Sequence, residues 1–215
     1  MRYFTLTLIT LILIGCGGVN DKSDKQKSVS DAKMMDKDLL TPVEQGGYGF
    51  ENIADDLGFT TYKYSQEKDK TFFGDPQAKK GGTFNYIHSL FPRTMRVIGQ
   101  NSSQVLNSRT IGALCYEGLL KQHPTTLDFI PGLASHWHIS EDKMTFKFRI
   151  NPDARWWDGN RVTSEDVIAT WDLRMDETIL SPFEQITYGK FERPVANSKY
   201  MVSVKAKTVN WRNFL

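Results

Sequence analysis

Two histidines and two acidic residues have the spacing that chemistry at a metal or in acid–base catalysis would require. His136 and His138 alternate along a predicted strand, so both imidazoles share one face, as a pair of metal ligands would. The spacing implies no third ligand, so surface histidines are favoured over a metal site. Glu165 and Asp166 could form an acid–base pair, but their position at the start of a predicted helix explains them without catalysis.

Other reactive residue types lack the partners that catalysis needs. Cys115 lies in an apolar stretch without a neighbouring base, so we expect a small buried hydrophobe. Gly81 and Gly82 are not followed by the Gly-Lys-Ser/Thr and helix of a phosphate loop, so they are expected to lead into a strand. The sequence contains no Gly-x-Ser-x-Gly, His-Glu-x-x-His or Cys-x-x-Cys motif. We therefore predict that the protein is not an enzyme and uses no metal and no cofactor.

The N-terminus predicts export and attachment of lipid at Cys16. Residues 3–14 form an apolar run that is shorter than the ~20 residues of a membrane-spanning helix. Leu13-Ile14-Gly15-Cys16 resembles the bacterial lipobox, which implies a signal peptide over residues 1–15 and a lipidated Cys16. An ordinary signal peptide with an incidental cysteine is the alternative.

Composition predicts a globular body behind a polar tether. The 215 residues are 40% hydrophobic, and they carry a formal net charge of +2 with scattered basic residues, which gives no electrostatic case for nucleic acid. Residues 16–44 are almost free of aromatic residues and are expected to form a disordered tether. Residues 45–80 are expected to be peripheral, with a short helix from Phe50 to Leu57 that ends at Gly58.

Periodicity predicts strands and helices in the remaining chain. The clearest strand spans 145–150, where Phe146, Phe148 and Ile150 should face the core while Lys147 and Arg149 face water. Further expected elements are a strand that follows Gly81 and Gly82 and runs to Ile87, a helix over 103–120, a hairpin with its turn at 123–126, a tight turn at Asp158 and Gly159, a helix with Thr163 as its N-cap, and an alternating strand over 199–209.

The order of these elements resembles the bacterial extracellular solute-binding proteins of family 5, the oligopeptide-binding group. The residues that carry the likeness are GGT at Gly81, YEGLL at Tyr116, PGLASHW at Pro131, FKFRINPDARWWDGNRVTSEDV at Phe146, and NFL at the end. The resemblance implies an α/β, periplasmic-binding-protein-like type II fold, of which residues 81–215 would supply a first-lobe strand and an accessory domain of hairpins and helices. Because members of the family are much longer, we expect an N-terminal fragment that lacks the hinge and second lobe.

The resemblance also implies where a ligand would lie. The family places ligand backbone along the irregular segment after the first strand, which corresponds here to Gly99, Gln100, Asn101 and Ser102. Peptide-binding relatives often carry a tyrosine where this chain has Phe183, whose ring could stack on a ligand but could not donate a hydrogen bond.

The implied function is capture of peptides, without catalysis, for the permease and ATPase of an ABC importer. The protein would be a monomer of the cell envelope, facing the periplasm or the outer surface and held to the membrane by Cys16. A nickel or haem receptor of the same family is one alternative, favoured if His136 and His138 face a cavity. A surface lipoprotein that acts in protein interaction or chemosensing is the other.

Overall fold

The computed structural model describes residues 40–65, 79, 81–83, 85, 87, 91, 93–102, 112–210 and 213. Its helices are α1 (Ala113–Cys115), α2 (Ser164–Met175) and α3 (Pro182–Tyr188), and its strands are β1 (Leu120–Gln122), β2 (Phe129–Pro131), β3 (Ala134–Ile139), β4 (Thr145–Ile150), β5 (Val195–Ser198) and β6 (Met201–Lys205). Single 3₁₀ turns lie at Val43–Gln45, Phe50–Asn52 and Glu177–Ile179. This mixture of helices and strands confirms the predicted α/β class.

The strands form two antiparallel sheets. Strands β1 and β2 form a two-stranded hairpin, and the other four form a sheet in the order β3-β4-β6-β5. The hairpin turn follows His123 and β4 spans the predicted 145–150, so both predictions are confirmed. The strand expected over 199–209 is confirmed only for its middle, which is β6.

One face of the four-stranded sheet carries the main core. Trp137, Phe148 and Val202 are cross-strand neighbours on β3, β4 and β6, and all three are buried. Phe146 and Ile150 are buried in the same cluster, as the alternation in β4 predicts, and Val162 packs there from the segment before α2. Burial of such large side chains supplies the main favourable term in folding.

The opposite face is covered at one end by residues 42–62, here called the strap. Phe50 has no exposed surface, and it packs with Ala54, Phe59 and the β6 residue Met201 in a second cluster. Thr60 exchanges two backbone hydrogen bonds with Trp137, of 2.8 and 3.0 Å, which pairs the strap with the edge of β3. These residues were expected to be peripheral, yet they complete a core.

The strap also corrects the prediction for Arg149. We expected its side chain to face water, but it is 5% exposed, because the strap covers this end of the sheet. Lys147, two positions earlier on the same face, lies beyond that cover and is exposed as predicted. The helix expected from Phe50 is a single 3₁₀ turn followed by further turns, and Gly58 ends it with a φ of 72°.

Four predictions lie partly or wholly outside the described residues. The signal peptide, Cys16 and most of the tether fall within residues 1–39, and half of the helix expected over 103–120 falls within 103–111. In the described half of that segment only Ala113–Cys115 is α-helical, so the helix does not extend to 120 as predicted. In the segment that follows Gly81, the described positions 81–83, 85 and 87 are exposed and belong to no strand. Cys115 was expected to be buried but is exposed at the end of α1, beside an exposed Leu114, so that prediction is wrong.

Candidate functional site

The Gly99 segment is a tight turn with two left-handed residues. Gly99 has a φ of 102° and Asn101 one of 66°, and the Ser102 hydroxyl donates to the Gly99 carbonyl at 2.6 Å. Gly99 and Ser102 are buried, while Gln100 and Asn101 are exposed. The turn thus presents two carboxamide side chains to solvent on a backbone that the Ser102 hydrogen bond stabilises.

Glycine is required at position 99 for two reasons. Its positive φ disfavours residues with a side chain, and a Cβ there would lie 3.2 Å from both the side chain and the carbonyl oxygen of Ile179. Ile179 belongs to the 3₁₀ turn that precedes α3. The structure therefore brings the Gly99 turn against the segment that leads into Phe183.

Phe183 lies in the first turn of α3, after Pro182 at the helix start. Its side chain is 74% exposed, and the side chains of Leu180 and Ile186 are 61% and 70% exposed. Three large apolar side chains in and just before one short helix therefore meet solvent. A ligand that stacked on Phe183 would bury apolar area, but the ring offers it no hydrogen bond.

Charged contacts fix α3 against α2. Arg174 forms an ion pair with Glu184, and its guanidinium lies 4.6 Å from the ring centroid of Tyr188. Burial raises the pKa of the Tyr188 phenol. Because both contacts converge on one half-buried guanidinium, the orientation of α3, and with it the placement of Phe183, depends on Arg174.

The acidic residues at the start of α2 have a structural role. Asp166 accepts a hydrogen bond from the backbone N–H of Thr163 at 2.7 Å and another from the indole of Trp156 at 3.2 Å. These bonds join the helix N-terminus to the preceding turn, where Gly159 has a φ of 88°. The contacts of Asp166 thus support the interpretation of Glu165 and Asp166 as helix-start residues. In the preceding turn, the side chain of Trp157 is 96% exposed.

The two histidines of β3 face the strap, as their alternation predicts for one shared face. The His136 ring lies 5.6 Å from that of Phe50, and the His138 ring lies 5.7 Å from that of Phe59. Burial and the nearby Arg149 lower the pKa of His136. Among the described residues, no group of three or more His, Cys, Asp or Glu side chains could hold a metal ion.

The structural role of Arg149 was not predicted from the sequence. Its guanidinium donates to the carbonyl oxygens of Gly46 and Gly47, at 2.9 and 2.8 Å, and to the Ser135 hydroxyl at 2.8 Å. It also lies 5.5 Å from the ring centroid of Phe50. Backbone carbonyls carry no signature in the sequence, so only the alternation of β4 was visible, and that alternation indicated solvent.

A second polar network holds the same end of the strap. The Tyr48 hydroxyl donates to Asp153 at 2.6 Å and accepts from Arg161 at 3.1 Å. Burial, together with the hydrogen bond to Asp153, raises the pKa of Tyr48 to about 12. Near neutral pH this phenol is therefore protonated, as its bond to Asp153 requires. The strap is fixed by hydrogen bonds to two arginines as well as by its aromatic rings.

Across the residues that the structure describes, no helix is both long enough and apolar enough to span a membrane.

Comparison with known proteins identifies the part of the chain that holds β2 to β6. Residues 128–214 match the model of the bacterial extracellular solute-binding proteins, family 5 middle region. The periplasmic murein peptide-binding protein MppA of Escherichia coli is 35% identical over 68 residues, which cover 32% of this chain and 12% of that protein. The periplasmic oligopeptide-binding protein OppA of the same organism is 33% identical over 79 residues, covering 34% of this chain and 13% of that one.

Solved structures give a partial overlay. The Haemophilus influenzae OppA complex with the peptide RPPGFSPFR is 22% identical, with a TM-score of 0.46, and the overlay covers 51% of this chain and 24% of that one. The assignment therefore rests on the sequence matches, in which the chain spans about an eighth of the curated relatives named above. On those matches, residues 128–214 of the chain are similar to the middle region of the bacterial extracellular solute-binding proteins of family 5.

Proposed function

We propose that this chain is part of a substrate-binding lipoprotein that captures peptides and delivers them to an ABC-type importer. It binds and releases its solute without chemistry. Cys16 carries the lipid that holds it to a bacterial membrane, residues 16–44 form the tether, and the folded body faces the periplasm or the outer surface as a monomer. We also propose that the protein of which this chain is a part has the complete type II periplasmic-binding-protein fold.

The single observation that supports this function is the family match over residues 128–214. Several relatives that share this segment are named for the peptides they bind, among them a murein peptide-binding protein and an oligopeptide-binding protein. Other solved structures that overlay on the chain hold Ni(L-His) or Fe(III)-EDTA, so the family match alone does not select a peptide. The peptide is favoured here because His136 and His138 lie against Phe50 and Phe59 of the strap.

The proposed ligand residues lie at the Gly99 turn and at Phe183. Exposed Gln100 and Asn101 would supply amide groups to a peptide backbone, and Phe183 would supply an apolar face to a peptide side chain. Affinity in such a site requires that the ligand be largely desolvated, so the residues described here would form one wall of it.

Binding to a mixed peptide library tests the proposal. The full product of the gene, produced without the lipid, would be incubated with peptides of two to nine residues, and bound peptides identified by mass spectrometry after rapid removal of the free ones. We expect retention of peptides, and a loss of affinity of about tenfold in Phe183→Ala, because one desolvated aromatic contact is removed.

Leu173→Ala on α2 is the matched control, since it removes an exposed apolar side chain from the neighbouring helix. Retention of nickel or haem complexes instead of peptides would contradict the peptide assignment. Retention of no solute of any kind would contradict capture itself.

Lipid attachment needs a separate test. Growth with a radiolabelled fatty acid should label the chain, and Cys16→Ser should abolish the label and release the protein from the membrane fraction. Equal labelling of Cys16→Ser and the unaltered chain would contradict the assignment of Cys16.

A further inference from the structure

A surface cavity of about 310 Å³ opens between the strap and the four-stranded sheet. Three strands and the strap contribute to its lining, which consists of Glu44, Gln45, Leu57, Phe59, Lys147, Asn197, Ser198 and Met201. Phe59 and Met201 are both at least nine-tenths buried. The cavity therefore has apolar side chains packed into the second core as part of its lining.

The remaining lining is polar, and its charges have opposite signs. Glu44 and Lys147 are both exposed, and within the described ranges neither of them forms an ion pair. Asn197 uses its carbonyl oxygen to accept a hydrogen bond from Ser203, which leaves its NH₂ group as a donor. One cavity thus offers a carboxylate, an ammonium, an amide donor and apolar contacts.

The lining is held in place by bonds on both sides. The Ser198 hydroxyl donates to the Gln45 carbonyl at 2.5 Å and so joins β5 to the strap. Gly46 lies directly over Met201, where a Cβ would be 3.1 Å from that side chain. Because the strap and the sheet are fixed to each other at these points, the cavity is present before any ligand arrives.

We propose that this cavity binds a free amino acid with an apolar side chain. The ligand carboxylate meets Lys147 and the Asn197 amide, its ammonium meets Glu44, and its side chain lies on Phe59 and Met201. A cavity of about 310 Å³ is at the small end of ligand sites, which fits a single amino acid rather than a longer peptide. The site shares no residue with the Gly99 turn or Phe183, so its occupancy does not depend on the proposed peptide capture.

Titration of the Met201 methyl group tests this inference. The full chain, labelled with ¹³C at its methionine methyl groups, would be titrated with leucine, with N-acetyl-leucine and with leucinamide, and Met201→Leu assigns the signal. We expect the NMR chemical shift of the Met201 methyl group to change saturably as leucine is added. The acetylated compound lacks the ammonium and the amide lacks the carboxylate, so each should bind about threefold to tenfold more weakly.

Two exposed substitutions separate the two charges. In Lys147→Gln the preference for leucine over leucinamide should disappear, and in Glu44→Gln the preference for leucine over N-acetyl-leucine should disappear. Lys190→Gln replaces another exposed lysine outside the cavity and should change neither preference. A thermal unfolding midpoint equal to that of the unaltered chain shows that each variant is folded.

The inference is overturned if leucine causes no saturable shift at Met201. It is also overturned if all three compounds bind equally, or if Lys147→Gln and Glu44→Gln keep the preferences of the unaltered chain. Phe183→Ala should leave leucine binding unchanged, so failure of peptide capture and failure of this site would be told apart.

Discussion

Phe50 and Phe183 have the same side chain in opposite surroundings. The ring of Phe50 in the strap has no exposed surface, whereas the ring of Phe183 on α3 is 74% exposed. In the strap region, Phe50 is buried in a packed apolar cluster, and the buried guanidinium of Arg149 donates hydrogen bonds to backbone carbonyls. The α3 region leaves apolar area in water, which costs free energy unless something covers it. Phe50 is therefore expected to contribute to stability, whereas Phe183 is free to contact a ligand.

The largest expected effect contrasts these two phenylalanines directly. Phe50→Ala should lower the free energy of unfolding by about 3–5 kcal/mol, because it leaves a cavity in a packed cluster. Phe183→Ala should change it by less than ~0.5 kcal/mol, because its ring already meets solvent. Urea unfolding followed by tryptophan fluorescence measures both. Equal losses in the two variants would remove the distinction between the regions.

Arg149 should give the next largest effect. Arg149→Leu should lower the free energy of unfolding by about 3 kcal/mol, because the carbonyls of Gly46 and Gly47 lose their donor beneath the strap. Arg149→Lys keeps the charge but cannot reproduce the planar guanidinium, so its free energy of unfolding should lie between those of the unaltered chain and Arg149→Leu. Urea unfolding is again the measurement, and a leucine variant as stable as the unaltered chain would show that the strap does not depend on this residue.

The start of α2 should give a smaller effect. Asp166→Ala should cost about 1 kcal/mol, because the Thr163 N–H and the Trp156 indole both lose their acceptor. Glu165→Ala is the control in the same helical turn and should cost less than ~0.5 kcal/mol. Thermal unfolding of the two variants in parallel measures the difference. A larger loss of stability in Glu165→Ala than in Asp166→Ala would contradict the assignment of the cap to Asp166.

The smallest effect concerns the pH dependence of the strap. Because the folded pKa of His136 lies below its ordinary value of 6.5, the unfolded chain binds the proton first as the pH falls. The contribution of His136 is therefore complete above pH 6.5 and is lost as the pH falls towards the folded pKa.

The loss should be ~0.5 kcal/mol or less, because the ring is only partly buried and solvent screens its charge. Asp142, Asp172 and Asp176 have lowered pKa values and lose their contributions in a separate window below about pH 4. Urea unfolding at several pH values between 7 and 5 would show the slope, and His136→Gln should flatten it. An unchanged slope in that variant would assign the pH dependence elsewhere.

Short-range sequence patterns correctly predicted the strands and helix ends that depend on residues only a few positions apart. The alternation at Phe146, Phe148 and Ile150 predicted β4, and Thr163 predicted the start of α2, because a strand and a capped helix depend on neighbours within a few positions. His123 lay in the predicted hairpin turn, but the acceptance of two turn N–H groups by its ring was not foreseen. A histidine within a turn carries no sequence signal that separates this role from exposure.

The remaining features depend on contacts between distant residues. Arg149 was placed in water because nothing near it in the sequence reveals a strap that begins about a hundred positions earlier. The Gly99 turn approaches Ile179, which also lies far from it in the sequence. The predicted ligand residues therefore came from the family resemblance and not from a local pattern. Cys115 was misjudged because its apolar neighbours suggested burial, yet Leu114 is 79% exposed.

The strap has a consequence for the order in which the protein is made. Its hydrogen bonds to Arg149 join residues 102 and 103 positions apart, and the bond from Ser198 to Gln45 spans 153. At a synthesis rate of about 5–20 residues per second, the strap waits roughly 5–20 s after leaving the ribosome before β4 exists. The strap, which is synthesised first, therefore cannot complete its core until the later strands have been synthesised. During that interval its apolar side chains remain accessible to other proteins that bind the nascent chain.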